Sequence, residues 1–309
     1  MLDYVPLDPS ISCQLDESSL LHTQMTHFAK LAQQYVGSMQ WKKEGAYVCL
    51  VRVLPGNVQE RLGRRSDATE LVFKQFNTAK YEFEVQLNLL GKRYADAERV
   101  NKALRVGRTP SILLKLFNAL NDAELFNTVV LVGSEALYAF ETAAGVRIRS
   151  IPLASSRLDL GKRNGSCLQL MVSEPSHIEG VAAVLHNIDV SFVKQTDAHV
   201  YTNEFGFQVW LMQNGEHAFG GKHLQETAAF EHIVVDRAGR MGTIRTLTPE
   251  RFIAYKRWLA KTSSDEFASL EHLGEAEMVE QLALHGRLLR GQLRGGCEHP
   301  SSGATLVAT

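Results

Sequence analysis

The chain has 309 residues, of which 45% are hydrophobic and 22% charged, with a formal net charge of −1; this is the composition of a globular protein with a sizeable core and roughly two or three subdomains. The near-zero charge balance gives no global field of the kind that marks a nucleic-acid or membrane-surface binder, although a local basic patch stays open. Cys13, Cys49, Cys167 and Cys297 form no C-x-x-C pair, no apolar run approaches the ~20 residues that span a bilayer, and the N-terminus lacks the basic and apolar regions of a signal peptide, so a zinc knuckle, a redox dithiol and a membrane partner are not indicated and a cytoplasmic location is expected.

Residues 1–17 hold two prolines and little periodicity, which predicts a loose arm. Residues 18–126 read as a mostly helical region with a hairpin. Leu21, Met25, Phe28, Ala32 and Tyr35 follow a helical period that stops at Gly37. Ala46 to Val53 and Val58 to Leu62 read as two strands around Leu54-Pro55-Gly56-Asn57. Asp67 with Glu70 resembles a capping box opening a long helical region towards Val106, broken near Gly91. Thr109-Pro110 starts another helix, with Ile112, Leu113, Leu116 and Leu120 on its apolar face.

Residues 127–225 read as the core. Val129 to Val132 is a buried strand that meets Gly133-Ser134; a helical segment follows, then Gly145 and a second extended run that ends in Arg157-Leu158-Asp159-Leu160. Lys162 to Gly165 is a turn, Cys167 to Val172 a strand, Ile178 to Asn187 a helix, and Val190 to Val193 and Val200 to Met212 strands, the last interrupted at Glu204-Phe205-Gly206. Gly215 to Lys222 is a glycine-rich loop. Residues 226–290 read as a hairpin, His232 to Val235 and Met241 to Leu247, followed by helices opened by Thr248-Pro249 and by Phe267. The tail, 291–309, is Gly/Ser-rich and reads as disordered.

The core can handle phosphate. A helix beginning at Ser134 leaves its first N–H groups unpaired, and these with the helix dipole suit an anion, while Gly133 lets a ligand approach the backbone; Ser134 acting only as a helix cap is the simpler reading. In a strand, residues two apart share a face, roughly 6.6 Å apart, so a D-x-D pair can hold two divalent ions. Here the positions are Arg157 and Asp159, and only one carboxylate is present.

Leu131-Val132-Gly133-Ser134-Glu135-Ala136-Leu137-Tyr138-Ala139-Phe140-Glu141 with Ala144-Gly145-Val146-Arg147 resembles a bacterial nucleotidyltransferase-like family, whose hallmark is a G-S/T-N-A-L-Y-A-Y-E-x-x-x-G-V-R block followed by a T-x-D-I-D-L strand. Leu62 to Ser66, Arg99 to Arg105 with Gly107 to Pro110, Ile188 to Phe192, Tyr201 to Leu211 and Pro249 to Lys256 resemble further segments of that family, so the likeness covers about residues 46–285. The resemblance implies an α+β fold of the polymerase-β type, a mixed sheet with helices, flanked by helical N- and C-terminal regions. It also implies NTP and Mg²⁺ as ligands if the chain is active, with Gly133, Ser134, Arg251 and Lys256 on the nucleotide and Asp159 as a catalytic metal ligand.

Three positions depart from that pattern. Arg157 stands for the first Asp of D-x-D, Trp210 for the third carboxylate in Val209-Trp210-Leu211, and Glu135 for the Asn of the phosphate-facing turn. Arg157 can pair with Asp159 or bind phosphate itself, and as a fixed cation it opposes metal binding, by about 4 kcal/mol for unit charges at 4 Å and an effective dielectric near 20. Glu204, Asp189 and Asp197 are near enough in sequence to serve as substitute ligands. The basic residues Arg99, Lys102, Arg105 and Arg108 suit nucleic-acid contact, or a solvated helix face with acids interleaved. The expected function is therefore a nucleotidyltransferase-like protein with lost or much reduced transfer that binds a nucleotide or a partner. The alternatives are an active Mg²⁺-dependent enzyme moving NMP to an RNA, protein or small-molecule acceptor, and a nucleic-acid-binding module.

Overall fold

The structure is a computed structural model that describes residues 4–149, 167–195, 199–213 and 229–284. The chain forms two compact units, one made of residues 1–16 and 100–309 and the other of residues 17–99.

In place of a loose arm, the N-terminus begins with β1 (Tyr4–Pro6), and α1 (Pro9–Ala32) starts directly after it. The Asp8 carboxylate accepts the Ser10 N–H at 2.9 Å and Pro9 occupies the first helical position, so Asp8-Pro9-Ser10 is a helix start in its own right. A short 3₁₀ turn, Gln33–Tyr35, follows.

The unit of residues 17–99 holds a three-stranded antiparallel sheet of β2 (Ser38–Glu44), β3 (Tyr47–Leu54) and β4 (Val58–Arg64) and most of α2 (Asp67–Ala103). The hairpin of β3 and β4 lies where the sequence indicates; β2 adds a third strand. Helix α2 runs unbroken through Gly91, where an added Cβ would meet nothing. Its start is held by Ser66 and Thr69, since Thr69 Oγ1 accepts the Ser66 N–H at 2.9 Å, rather than by Asp67 with Glu70.

The larger unit is built on a seven-stranded mixed sheet, an α+β architecture. Its elements are α3 (Ser111–Asp122), β5 (Val129–Leu131), α4 (Leu137–Ala144), β6 (Val146–Ile148), β7 (Cys167–Val172), α5 (Ile178–Ile188), β8 (Val193–Lys194), β9 (Val200–Thr202), β10 (Gln208–Gln213), β11 (Phe230–Val235), β12 (Met241–Thr246), α6 (Pro249–Thr262) and α7 (Glu266–Leu284). The strand order is β11-β12-β5-β7-β10-β9-β8, while β1 and β6 pair separately, Val5 opposite Arg147. Strand β12 pairs with β5 in the same sheet, and α3 packs on β12.

The core forms because the apolar periods of these elements converge. Helix α3 buries Leu113, Leu116, Phe117 and Leu120, and α5 buries Ile178, Val181, Val184 and Leu185. Phe140 of α4 is fully buried between Phe230 and Phe252, with ring centroids at 5.4 and 5.3 Å. Gly145 ends α4 in the left-handed region at φ 63°, which favours glycine and turns the chain straight into β6.

Candidate functional site

The Gly133-Ser134 turn sits at the end of β5, beside the start of β7. The Val132 N–H donates to the Gln169 carbonyl at 3.0 Å, and Gln169 is the register partner of Trp210 on β10. Strand order β5-β7-β10 therefore places Trp210 in one row with Gln169 and Val132, two strand spacings or about 10 Å from the turn. Arg157 and Asp159 lie outside the described residues, as do Asp197, the Lys162–Gly165 turn, the Gly215–Lys222 loop and the 291–309 tail.

The turn does not open as a simple α-helix N-terminus. Ser134–Ala136 is a 3₁₀ turn with Gly133 at its N-cap, and α4 follows from Leu137. Ser134 caps no helix; its hydroxyl instead faces Glu275 on α7. Glu135 folds back over Gly133, so that a Cβ on Gly133 would lie 2.6 Å from Glu135 Oε2. A Cβ here would displace the end of the chain's own Glu135 side chain, which fills the space over the glycine.

Glu135 is 2% exposed, and neither of its oxygens accepts a well-formed hydrogen bond among the described residues. Burial pushes its pKa up to about 7; its own backbone amide and Lys256 pull it down, and Glu275 pushes it up. The Cys167 thiol at the start of β7 is pushed to about 11 by burial and by the Glu135 charge.

Lys256 and Glu275 form a buried ion pair beside this carboxylate, Nζ to Oε2 at 2.7 Å, with side chains 1% and 0% exposed. Burial raises the Glu275 pKa, but Lys256, with His272 and Ser134, more than offsets this and holds it below the usual range. In this arrangement the Lys256 charge is neutralised within the core. Arg251, one turn earlier on α6, is half-buried.

A second ionic cluster joins three segments of the family-like pattern. Glu141 is buried and receives Arg108 through two guanidinium nitrogens, Arg147 Nη1 at 3.2 Å and the Ile148 N–H at 3.0 Å. Burial still raises the Glu141 pKa, against the pull of Arg108, the Ile148 amide and Arg147. Arg108 also donates to the Ile148 carbonyl at 2.7 Å, and Arg147 to the Val106 carbonyl at 2.9 Å. Arg108 thus braces the fold. Of the other basic residues, Lys102 and Arg105 are exposed, and Arg99, also exposed, pairs with Asp96.

A divalent cation of the kind implied by the resemblance takes several oxygen ligands. Among the described residues no group of three His, Cys, Asp or Glu could hold one. Trp210 brings an indole that only donates hydrogen bonds, and the acid nearest the turn, Glu135, is buried beside Lys256. Asp189 is engaged in its own turn, where its carboxylate accepts the Ser191 N–H at 2.9 Å and the Asn203 side-chain amide at 3.0 Å, and Glu204 is exposed in the next loop. The described residues do not fit such an ion.

The roles of Glu141, Arg147, Gln169 and Glu275 become visible only in the structure. The first two stand in the quoted motif, where an acid and an arginine six residues apart flank a helix end. Glu275 gave no signal, because it is one of several acids along α7.

Residues 112–219 match a family model described as Nucleotidyltransferase. The match runs from α3 through β10 and takes in Gly133, Glu135, Glu141, Arg147 and Trp210. Nothing among curated proteins and nothing among solved structures matches the chain.

Proposed function

The chain is nucleotidyltransferase-like over residues 112–219, and from this premise we propose that its transfer chemistry is lost or much reduced and that it acts by binding a nucleotide or a partner. The observation that carries this reading is the Glu135 carboxylate lying over Gly133, at the spot where the backbone would otherwise meet a phosphate. Glu135 blocks a phosphate at that turn by filling the space, and in its ionised form, above pH 7, it also repels one. Trp210 adds to this by supplying an indole where a carboxylate would be needed.

Within this reading the residues have structural duties. Lys256 and Glu275 hold α6 against α7 beside the turn. Arg108, Glu141 and Arg147 clamp the segment before α3 to the end of α4 and to β6. The remaining ligand contacts would come from Arg251 and from the exposed Lys102 and Arg105.

Calorimetric titration of ATP, GTP, CTP and UTP into the full chain, with and without Mg²⁺, tests the proposal. Binding that is absent or indifferent to Mg²⁺ is expected. Binding that requires Mg²⁺ would overturn it and favour the active enzyme.

A further inference from the structure

Helix α2 is 37 residues long and has two unlike faces. One face packs within its own unit: Phe76 and Phe83 lie against Tyr35, with ring centroids at 5.7 and 5.2 Å, and Phe73 lies against Trp41 at 5.7 Å. Tyr81, Val85 and Leu89 are spaced at i, i+4 and i+8 and are 69%, 45% and 55% exposed. Apolar side chains exposed singly need no explanation, but a row of large ones along a helix marks a contact surface.

We infer that α2 pairs with α2 of a second copy of this chain, antiparallel, about a two-fold axis through Val85. Val85 is the midpoint of Asp67–Ala103. Rotation about it sets Tyr81 against Leu89 and repeats that contact on the other side of the axis, as an isologous interface requires. Lys74 lies seven residues before Tyr81, and Asp96 seven after Leu89. Each is two turns away and on the same side of the helix as its neighbour, so the same rotation brings Lys74 of one copy to Asp96 of the other, which Arg99 of its own chain also contacts. A parallel pairing in register would instead oppose Lys74 to Lys74 and Asp96 to Asp96, which repel. Charge and apolar spacing thus select the same partner and the same direction.

Sedimentation equilibrium of the full chain over micromolar concentrations tests this inference. The wild type is expected at twice the chain mass, and Val85→Asp at the chain mass with an unchanged far-ultraviolet circular dichroism spectrum. Should that variant fail to fold, Val85→Ser is measured instead and should weaken association. Lys74→Asp should weaken it about tenfold, since the pair occurs twice in the interface, and Lys74→Asp with Asp96→Lys should restore it. A wild type that stays monomeric, a dimer that the Val85 variant leaves intact, or a charge swap that restores nothing would overturn the inference.

Discussion

The Glu135 carboxylate occupies the space over Gly133, leaving only 2.6 Å between Oε2 and a methyl group built at that glycine. The two residues therefore act as one unit. Gly133→Ala should destabilise the chain by about 1–2 kcal/mol, because the buried carboxylate must move. In a Glu135→Ser background the same change should cost much less. A double-mutant cycle by urea denaturation reads the coupling, which should be about 1 kcal/mol or more.

Glu135 also makes stability depend on pH. Its folded pKa of about 7 lies above the ordinary carboxyl value of 4.5, so between these values the folded state holds a proton that the unfolded state has released. Its contribution is fully present below about pH 4.5 and is lost as pH rises through 7, by about 3 kcal/mol in all. Glu135→Gln should remove this slope and be more stable than the wild type at pH 8. Denaturation midpoints at pH 5 and pH 8 check it; equal shifts at both would refute the assignment.

The Lys256–Glu275 pair has no solvent to fall back on. Lys256→Met leaves Glu275 buried beside Glu135 without its lysine, and should cost about 3–5 kcal/mol. Lys256→Met with Glu275→Leu removes both charges and should recover most of that loss. Thermal unfolding of the two single variants and the double variant measures it.

At Glu141 the geometry of the partner matters as much as its charge, because Arg108 meets the carboxylate through Nε at 2.9 Å and also through Nη2. Arg108→Lys keeps the charge but cannot reproduce both bonds and the contact to the Ile148 carbonyl. It should therefore lose about 1–2 kcal/mol, and Arg108→Ala about 2–3 kcal/mol, in chemical denaturation.

Much of this arrangement is legible in the amino-acid order. Cys167–Val172 can be bounded at both ends because an apolar β-rich run starts and stops cleanly, and Asp236-Arg237-Ala238-Gly239 marks the turn between β11 and β12. Strand β2 is hidden because Lys42, Lys43 and Glu44 blur its alternation, although Met39 and Trp41 share one face. The N-terminal arm is misread because a three-residue strand finds its partner only at Val146–Ile148, far along the chain. The apolar run ending at Val132 marks the turn at Gly133-Ser134, whereas the placement of Trp210 two strands away depends on a strand order that the sequence does not display. The pairing of Lys256 with Glu275 has no local signature, since it depends on how α6 meets α7. Helical spacing likewise cannot show that Glu135 turns inward over its own glycine.

The most direct test of the central claim is pyrophosphate release by the full chain, incubated with each NTP and Mg²⁺ and with RNA and protein acceptors. No release above that of an Asp159→Ala variant is the result this account predicts. Mg²⁺-dependent release that Asp159→Ala abolishes would contradict it and make the chain an active nucleotidyltransferase.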